Sequence, residues 1–172
     1  MRNIRTLEQN AAQDRNFADN GHFAEIERMG YEHGKRREEH EAKKQGIIEE
    51  FGWDSEELKA WYAEKEAMKD PLTNGEYKAY RAFEYSLEKG NRDFELEDFL
   101  WDREVADFIG TLRRAGIEEF IYSNQSTAVM ENIHGFIAEG CTLEGACTFK
   151  RTDRRWGEEE ETTVLGLRFK VN

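Results

Sequence analysis

The spacing of apolar residues divides the chain into three stretches. In residues 1–50 a loose stripe of Leu7, Phe17, Phe23, Ile26 and Met29 precedes YEHGKRREEHEAKKQG (Tyr31–Gly46), which holds almost nothing to bury. Gly30, Gly34 and Gly46 each weaken a helix there by about 1 kcal/mol relative to Ala. The pattern predicts a helical, partly solvated arm over 1–50 that adds little to the core. From Gly52 the apolar positions recur every three or four residues. A helix over 54–69 opens on Asp54 and Glu57 as a capping box and carries Leu58, Trp61, Tyr62 and Met68 before Pro71. A second, over 74–89, opens on Thr73 and Glu76 and carries Tyr77, Tyr80, Phe83 and Leu87 to Gly90. A third, over 98–115 with Asp98 as N-cap, places Trp101, Val105, Phe108, Ile109 and Leu112 on one face and Glu104, Asp107 and Thr111 opposite.

After Gly116 the period shortens to two. EEFIYSN reads as a strand over 118–124. A helix over 127–139, capped by Ser126, turns Val129, Met130, Ile133, Phe136 and Ile137 inward. Strands over 142–151 and 162–171 follow, with Leu143, Gly145, Cys147 and Phe149 on one face of the first and Leu165, Leu167, Phe169 and Val171 on one face of the second. TDRRWGEEEE is the loop of their antiparallel hairpin, where Lys150, Arg151, Arg154 and Arg155 can pair with Glu158–Glu161. Residues 51–172 therefore read as a single α+β domain: helices first, then a three-stranded β-α-β-β sheet covered by helices on one face.

Composition bounds what such a chain can do. Of its 172 residues 36% are charged and the formal net charge is −12, yet aromatics make up 12%, too many for a disordered acidic chain. The field is wrong for contact with nucleic acid or an anionic membrane, and suits a cationic partner or plain solubility. The first 16 residues hold no apolar core of a signal segment and no run approaches a membrane span, so the expectation is a cytoplasmic protein. Cys141 and Cys147, six apart in one strand, lie about 20 Å from each other at 3.3 Å per residue, too far for a disulfide. Free, inert thiols are expected, with Cys147 beside Phe149.

Catalytic and metal-binding patterns are weak. His33 and His40 stand two helical turns apart without a third ligand and read as part of a solvated charged face. SNQST (Ser123–Thr127) meets a helix N-terminus but lacks the glycines that wrap phosphate, so it reads as a cap. His134 reads as a partly buried structural residue. The strongest charge signal lies in residues 93–107, where Asp93, Glu95, Glu97, Asp98, Asp102, Glu104 and Asp107 face the single base Arg103. The helix dipole favours two or three acids at an N-terminus. The rest are available to a partner.

FIYSNQSTAVMENIHGFIAEGC, preceded by DFIGTLRRAGI and followed by the hairpin, resembles a group of small acidic accessory proteins of phages and conjugative elements. Some of these resemble anti-CRISPR inhibitors of single-effector nucleases. The resemblance spans residues 93–172 and implies a protein-binding inhibitor without a cofactor. Two functions stay open. In one, Asp93, Glu95, Glu97, Asp102, Glu104 and Asp107, joined by Glu158, Glu159, Glu160 and Glu161, occupy the basic nucleic-acid channel of an effector nuclease such as a CRISPR enzyme. In the other, the chain is a non-enzymatic interaction module that self-associates, as a homodimer, through its helical arm.

Overall fold

A computed structural model describes Phe17 and residues 20–172 apart from 128, 156 and 157; Arg154 and Arg155 are described by their backbone alone. Leu7, Trp156 and Gly157 lie outside the described residues. Those residues form five helices and a four-stranded sheet: α1 Gly21–Phe51, α2 Glu56–Ala67, α3 Asn74–Glu88, β1 Glu95–Leu96, α4 Asp102–Arg114, β2 Glu119–Tyr122, α5 Val129–Ala138, β3 Thr142–Arg155 and β4 Glu158–Lys170. This is an α+β fold with a helical N-terminal half. Contacts group the residues into two compact units: Glu25–Leu72, and the described residues up to Ala24 with Thr73–Asn172.

In the first unit α1 runs unbroken through Gly30, Gly34 and Gly46. Ile26, His33 and His40 recur every seven residues on its buried side. α2 is capped by the Ser55 hydroxyl, which accepts the Leu58 N–H at 3.2 Å, and not by Asp54. The Trp61 indole N–H donates to the His40 carbonyl at 2.9 Å and its ring stacks on the imidazole at 4.7 Å. The two histidines are thus buried residues of a helical hairpin, not members of a solvated face.

In the second unit α3 opens on the expected capping box: Glu76 accepts the Thr73 N–H at 2.9 Å, and the Thr73 hydroxyl accepts the Glu76 N–H at 3.3 Å. The strand order is β1-β2-β4-β3, with β1 parallel to β2 across α4 and the other pairs antiparallel. The fourth strand, β1, is absent from the three-stranded expectation because it is only two residues long and flanked by acids. Phe94, Leu96, Phe120 and Phe169 from the sheet region pack with Phe108, Ile109 and Leu112 of α4 and Phe136 of α5, all fully buried. Full burial of such a side chain contributes roughly 1.5–3 kcal/mol. Phe17 and Phe23 join this core: Phe23 stacks on Phe83 at 4.5 Å, and Phe17 meets Phe94 edge-on at 5.7 Å. The start of the supposed arm is therefore core material, because its aromatic rings close a cluster with Phe83 and Phe94.

The hairpin is longer than its alternation suggests. Register continues through Thr152↔Glu161 and Asp153↔Glu160 to Arg155↔Glu158, so most of the predicted loop is paired strand. Leu165 is 69% and Leu143 39% exposed, although alternation turns both toward the core. An ideal Cβ on Gly166 would lie 2.4 Å from Ile121 Cγ2, so only glycine lets β4 pass this side chain of β2. The far half of the ribbon returns toward α3, where the Thr152 N–H donates to the Lys89 carbonyl at 2.9 Å.

Candidate docking surface

β1 is buried on both sides, and its second side is polar. Glu95 is completely buried, and its carboxylate accepts from Ser123 Oγ at 2.5 Å, Asn91 Nδ2 at 2.6 Å and Arg151 Nη1 at 3.1 Å. Arg151 also donates to Tyr85 Oη at 2.7 Å, Glu97 at 3.3 Å and Asp153 at 3.1 Å. Asp153 in turn accepts from Lys89 at 2.7 Å and Thr162 at 2.6 Å. Burial pushes the Glu95 carboxyl above its ordinary value against the pull of its donors. Lys89, Thr162 and Arg151 together hold Asp153 well below the usual carboxylate range. The network latches the β3–β4 ribbon to α3 and β1.

This latch changes the meaning of the acidic segment. Asp93 pairs with Arg168 at 3.3 Å, Glu95 and Glu97 with Arg151, and Asp98 with Lys78 at 3.7 Å. Glu104, placed on the solvent face by the helical wheel, is 3% exposed; it pairs with Lys78 at 3.1 Å and accepts the Trp101 N–H at 2.9 Å. Burial opposes its ionisation, but the Trp101 N–H and Lys78 outweigh that and hold the carboxyl below its ordinary value. Thr111 is buried as well. The reason is α3: an ideal Cβ on Gly75 would lie 2.4 Å from the Glu104 carbonyl, so a second helix covers the side of α4 that the wheel leaves to water. Asp98 does not cap α4, which begins at Asp102. Among the described residues only Asp102 and Asp107 of the seven acids lack an ion pair. Glu158–Glu161 are exposed, with Glu161 on Lys150 at 2.5 Å.

What the segment does present is aromatic. Trp101 occupies the N-cap position of α4 and is 60% exposed, reversing its expected burial. Phe99 meets it edge-to-face at 5.0 Å. Between them Leu100 is clamped: its N–H donates to Asn132 Oδ1 at 3.0 Å and its carbonyl accepts from Asn132 Nδ2 at 2.5 Å. Asn132 is fully buried on α5, and its Oδ1 also accepts the Tyr122 hydroxyl at 2.6 Å. Its neighbour on α5, Glu131, shares this surface with Trp101. The result is an apolar-walled groove of about 530 Å³ lined by Phe99, Trp101, Asp102, Arg103 and Glu131. Lys78, which donates to the Phe99 carbonyl, lies 5.9 Å from the Phe99 ring centre. A second cleft, of similar volume and lined by Lys78, Arg81, Tyr85, Glu97 and Asp98, uses the other end of the same loop.

The family known as Domain of unknown function (DUF7698) matches residues 78–171, more than half of the sequence. The chain belongs to this family. The DUF7698 segment holds the Glu95 network, the Asn132 clamp and the Trp101 groove, and excludes α1 and α2. No curated protein and no solved structure matches the chain.

Within the DUF7698 segment the other sequence candidates resolve into structural parts. Ser123 belongs to the Glu95 network, and Asn124 accepts the Ser126 N–H at 2.8 Å and donates to the Glu97 carbonyl at 2.6 Å, a turn leading into α5. His134 is exposed and not partly buried as its place in the helix suggested, and Met130 and Ile137 are exposed as well, so the α5 stripe buries less than its apolar spacing implies. Cys141 is buried and Cys147 half-buried; both are free, and burial pushes both thiols up. Among the described residues no three His, Cys, Asp or Glu are arranged to hold a metal, and no helix is long and apolar enough to cross a membrane. Sequence reading missed Trp101 and Asn132 as site residues. A signal existed for one of them, an Asn inside an apolar helix, whereas the cap expected at Asp98 hid the place of Trp101.

Proposed function

We propose that this protein works by binding a positively charged protein through the Phe99–Trp101 loop, as an inhibitor that covers a basic nucleic-acid-binding surface of an effector nuclease such as a CRISPR enzyme. Trp101 carries this reading. An N-cap Ser, Thr, Asp or Asn is worth about 1 kcal/mol over a residue that cannot cap. Trp101 supplies neither a capping oxygen nor full burial, so folding gains little from its side chain. Exposed Trp packed against Phe is the composition of an interface anchor. Asp102 beside it, which has no ion pair among the described residues, and the net charge of −12 match a basic partner.

Reversing Glu95, Asp102, Glu104 and Asp107 together is no test of this reading, since two of the four are buried. The test is a cleavage assay over a panel of nucleic-acid-guided nucleases with the wild type and Trp101→Ala at two salt concentrations. Wild-type inhibition that weakens with salt and falls at least tenfold in the variant is the expected result. A wild type that inhibits none of the panel refutes the inhibitor reading.

One observation favours a second reading, self-association through the helical hairpin. Tyr31 and Trp53, each over 70% exposed, and Phe51 and Tyr62, nearly half exposed, all belong to the Glu25–Leu72 unit. Light scattering across a hundredfold concentration range tests it: a constant monomer mass excludes it.

A further inference from the structure

We infer that the groove beside Trp101 receives an arginine side chain from the basic partner, the guanidinium stacking on the indole and forking onto Asp102 and Glu131. The inference rests on the protein-binding reading above and names the group that the site reads.

The groove has the parts that such a side chain requires. Its walls are aromatic, Phe99 and Trp101 at 5.0 Å and 83°. Asp102 and Glu131 supply two carboxylates against the one cation Arg103, leaving a charge of −1 that one incoming cation neutralises. The loop is held before any partner arrives, by the two Asn132 bonds to Leu100 and by Glu104 on the Trp101 N–H. A preformed wall loses little freedom on binding. Asp102 and Glu131 have no ion pair among the described residues, and no cation of the described chain lies over the Trp101 ring.

The same fold already holds an arginine with these components. The Arg151 guanidinium carbon lies 5.8 Å from the Tyr85 ring centre while its nitrogens reach the carboxylates of Glu95, Glu97 and Asp153. The exposed groove repeats that chemistry with a larger ring. Arginine suits it better than lysine: a planar, weakly hydrated guanidinium stacks on an aromatic face and still offers its edge to carboxylates, whereas an ammonium is a strongly hydrated point charge. A purely apolar occupant would leave Asp102 and Glu131 beside buried surface without compensation.

The test is a titration of the full chain, labelled for indole N–H resonances, with a nonapeptide of alternating Arg and Ser, and in parallel with its Lys counterpart. The expected result is a shift of the Trp101 indole resonance and at least threefold tighter binding of the Arg peptide. Trp101→Ala and Asp102→Asn should each weaken that binding at least fivefold, and Trp101→Phe should retain most of it. Trp101→Ala keeps the main-chain N–H that Glu104 accepts, so the helix start survives; a thermal melt of each variant checks this. The Glu57→Gln/Glu66→Gln pair on α2 removes two exposed charges elsewhere and should change affinity less than twofold. Equal binding by Trp101→Ala, an equal loss in the α2 pair, or equal affinity for the Lys peptide overturns the arginine site while leaving a basic partner in place. No binding of either peptide overturns the site and the basic-partner reading together.

Discussion

Residues 93–107 and residues 158–161 are equally acidic to the eye and differ in where their charge goes. In the first, Arg151, Arg168 and Lys78 take up five of the seven carboxylates, two of them buried. In the second, four glutamates line the far end of β4 in water. The difference is one of partners. An acid beside a parallel strand pair and under a returning ribbon is enclosed by groups distant in the chain, and an acid on a ribbon's end stays exposed beside the other strand of its own ribbon, as Glu161 does on Lys150. Local charge density therefore says little about the charge a surface offers.

The sharpest way to break this comparison is to reverse one charge in each region. Glu95→Lys places a second cation against Arg151 with no water to screen it, and leaves Ser123 and Asn91 without their acceptor. Disrupting a buried pair by removing one partner alone typically costs about 3–5 kcal/mol, and a like charge adds to that. The expected outcome is loss of the cooperative melt. The same reversal at Glu160 should keep the melt within about 0.5 kcal/mol of wild type, as for ordinary surface changes. Comparable losses at both positions would show that the acids of β4 are also structural.

β4 itself spans both environments, and Gly166 marks its enclosed end. Gly166→Ala sets a methyl group 2.4 Å from Ile121 Cγ2, with the Tyr122 carbonyl at 3.2 Å. Neither is the tip of a flexible chain, so the strand must shift, and overpacking of this kind costs typically 1–3 kcal/mol. Denaturant unfolding should show that loss without a change in m-value. A neutral or stabilising Gly166→Ala would mean that β4 lies looser on β2 than this contact implies.

How much of this was legible follows the range of each signal. The Thr73/Glu76 capping box and the antiparallel β3–β4 pairing are local patterns, and both hold in the structure, although the alternation misplaces Leu143 and Leu165. β1 was not legible, because two residues carry no period and their pairing with β2 is set by α4 lying across them. Glu95 was not legible as a buried residue, since Ser123 is 28 and Arg151 56 positions away. Trp101 and Glu104 exchanged their expected places because a helical wheel assumes one covered face, and α3 covers a second. The groove was half legible: Phe99 and Trp101 stand together among acids in the sequence, but the shift of the cap from Asp98 to Trp101 was not, and the Asn132 clamp that stiffens the loop is a long-range contact.

Acid titration separates the enclosed carboxylates from one another by sign. Glu104 and Asp153 have depressed carboxyl pKa values in the folded chain, so the stability they contribute is present above the ordinary carboxylate value of about 4 and is lost as pH falls through their lowered values. Glu95 runs the other way: its raised value means that its contribution is complete below the unfolded value and declines as pH rises through the folded one. Glu104→Gln should therefore cost about 1–3 kcal/mol at neutral pH, as for a hydrogen bond to a charged group, and converge on the wild type in acid. A gap between the two that persists undiminished at pH 2 would assign the Glu104 effect to packing.

The smallest effect concerns the sign of Glu160. It stands directly opposite Asp153 across the β3–β4 ladder, two like charges at a cross-strand position where opposite charges favour pairing. Asp153 is already engaged by Lys89 at 2.7 Å, Arg151 at 3.1 Å and Thr162 at 2.6 Å, so it stays ionised and its field reaches Glu160. Glu160→Lys turns a repulsion into an attraction at a solvent-exposed site, where such pairs are worth about 0.2–1 kcal/mol. The variant should therefore be more stable than the wild type by a few tenths of a kcal/mol at low salt, and the gain should shrink at 1 M salt as the Debye length falls to about 3 Å. Denaturant midpoints at the two salts measure it. A loss of stability in Glu160→Lys at low salt would mean that Glu160 has a cationic partner stronger than the repulsion from Asp153, and that the far end of β4 is tied down as the 93–107 segment is.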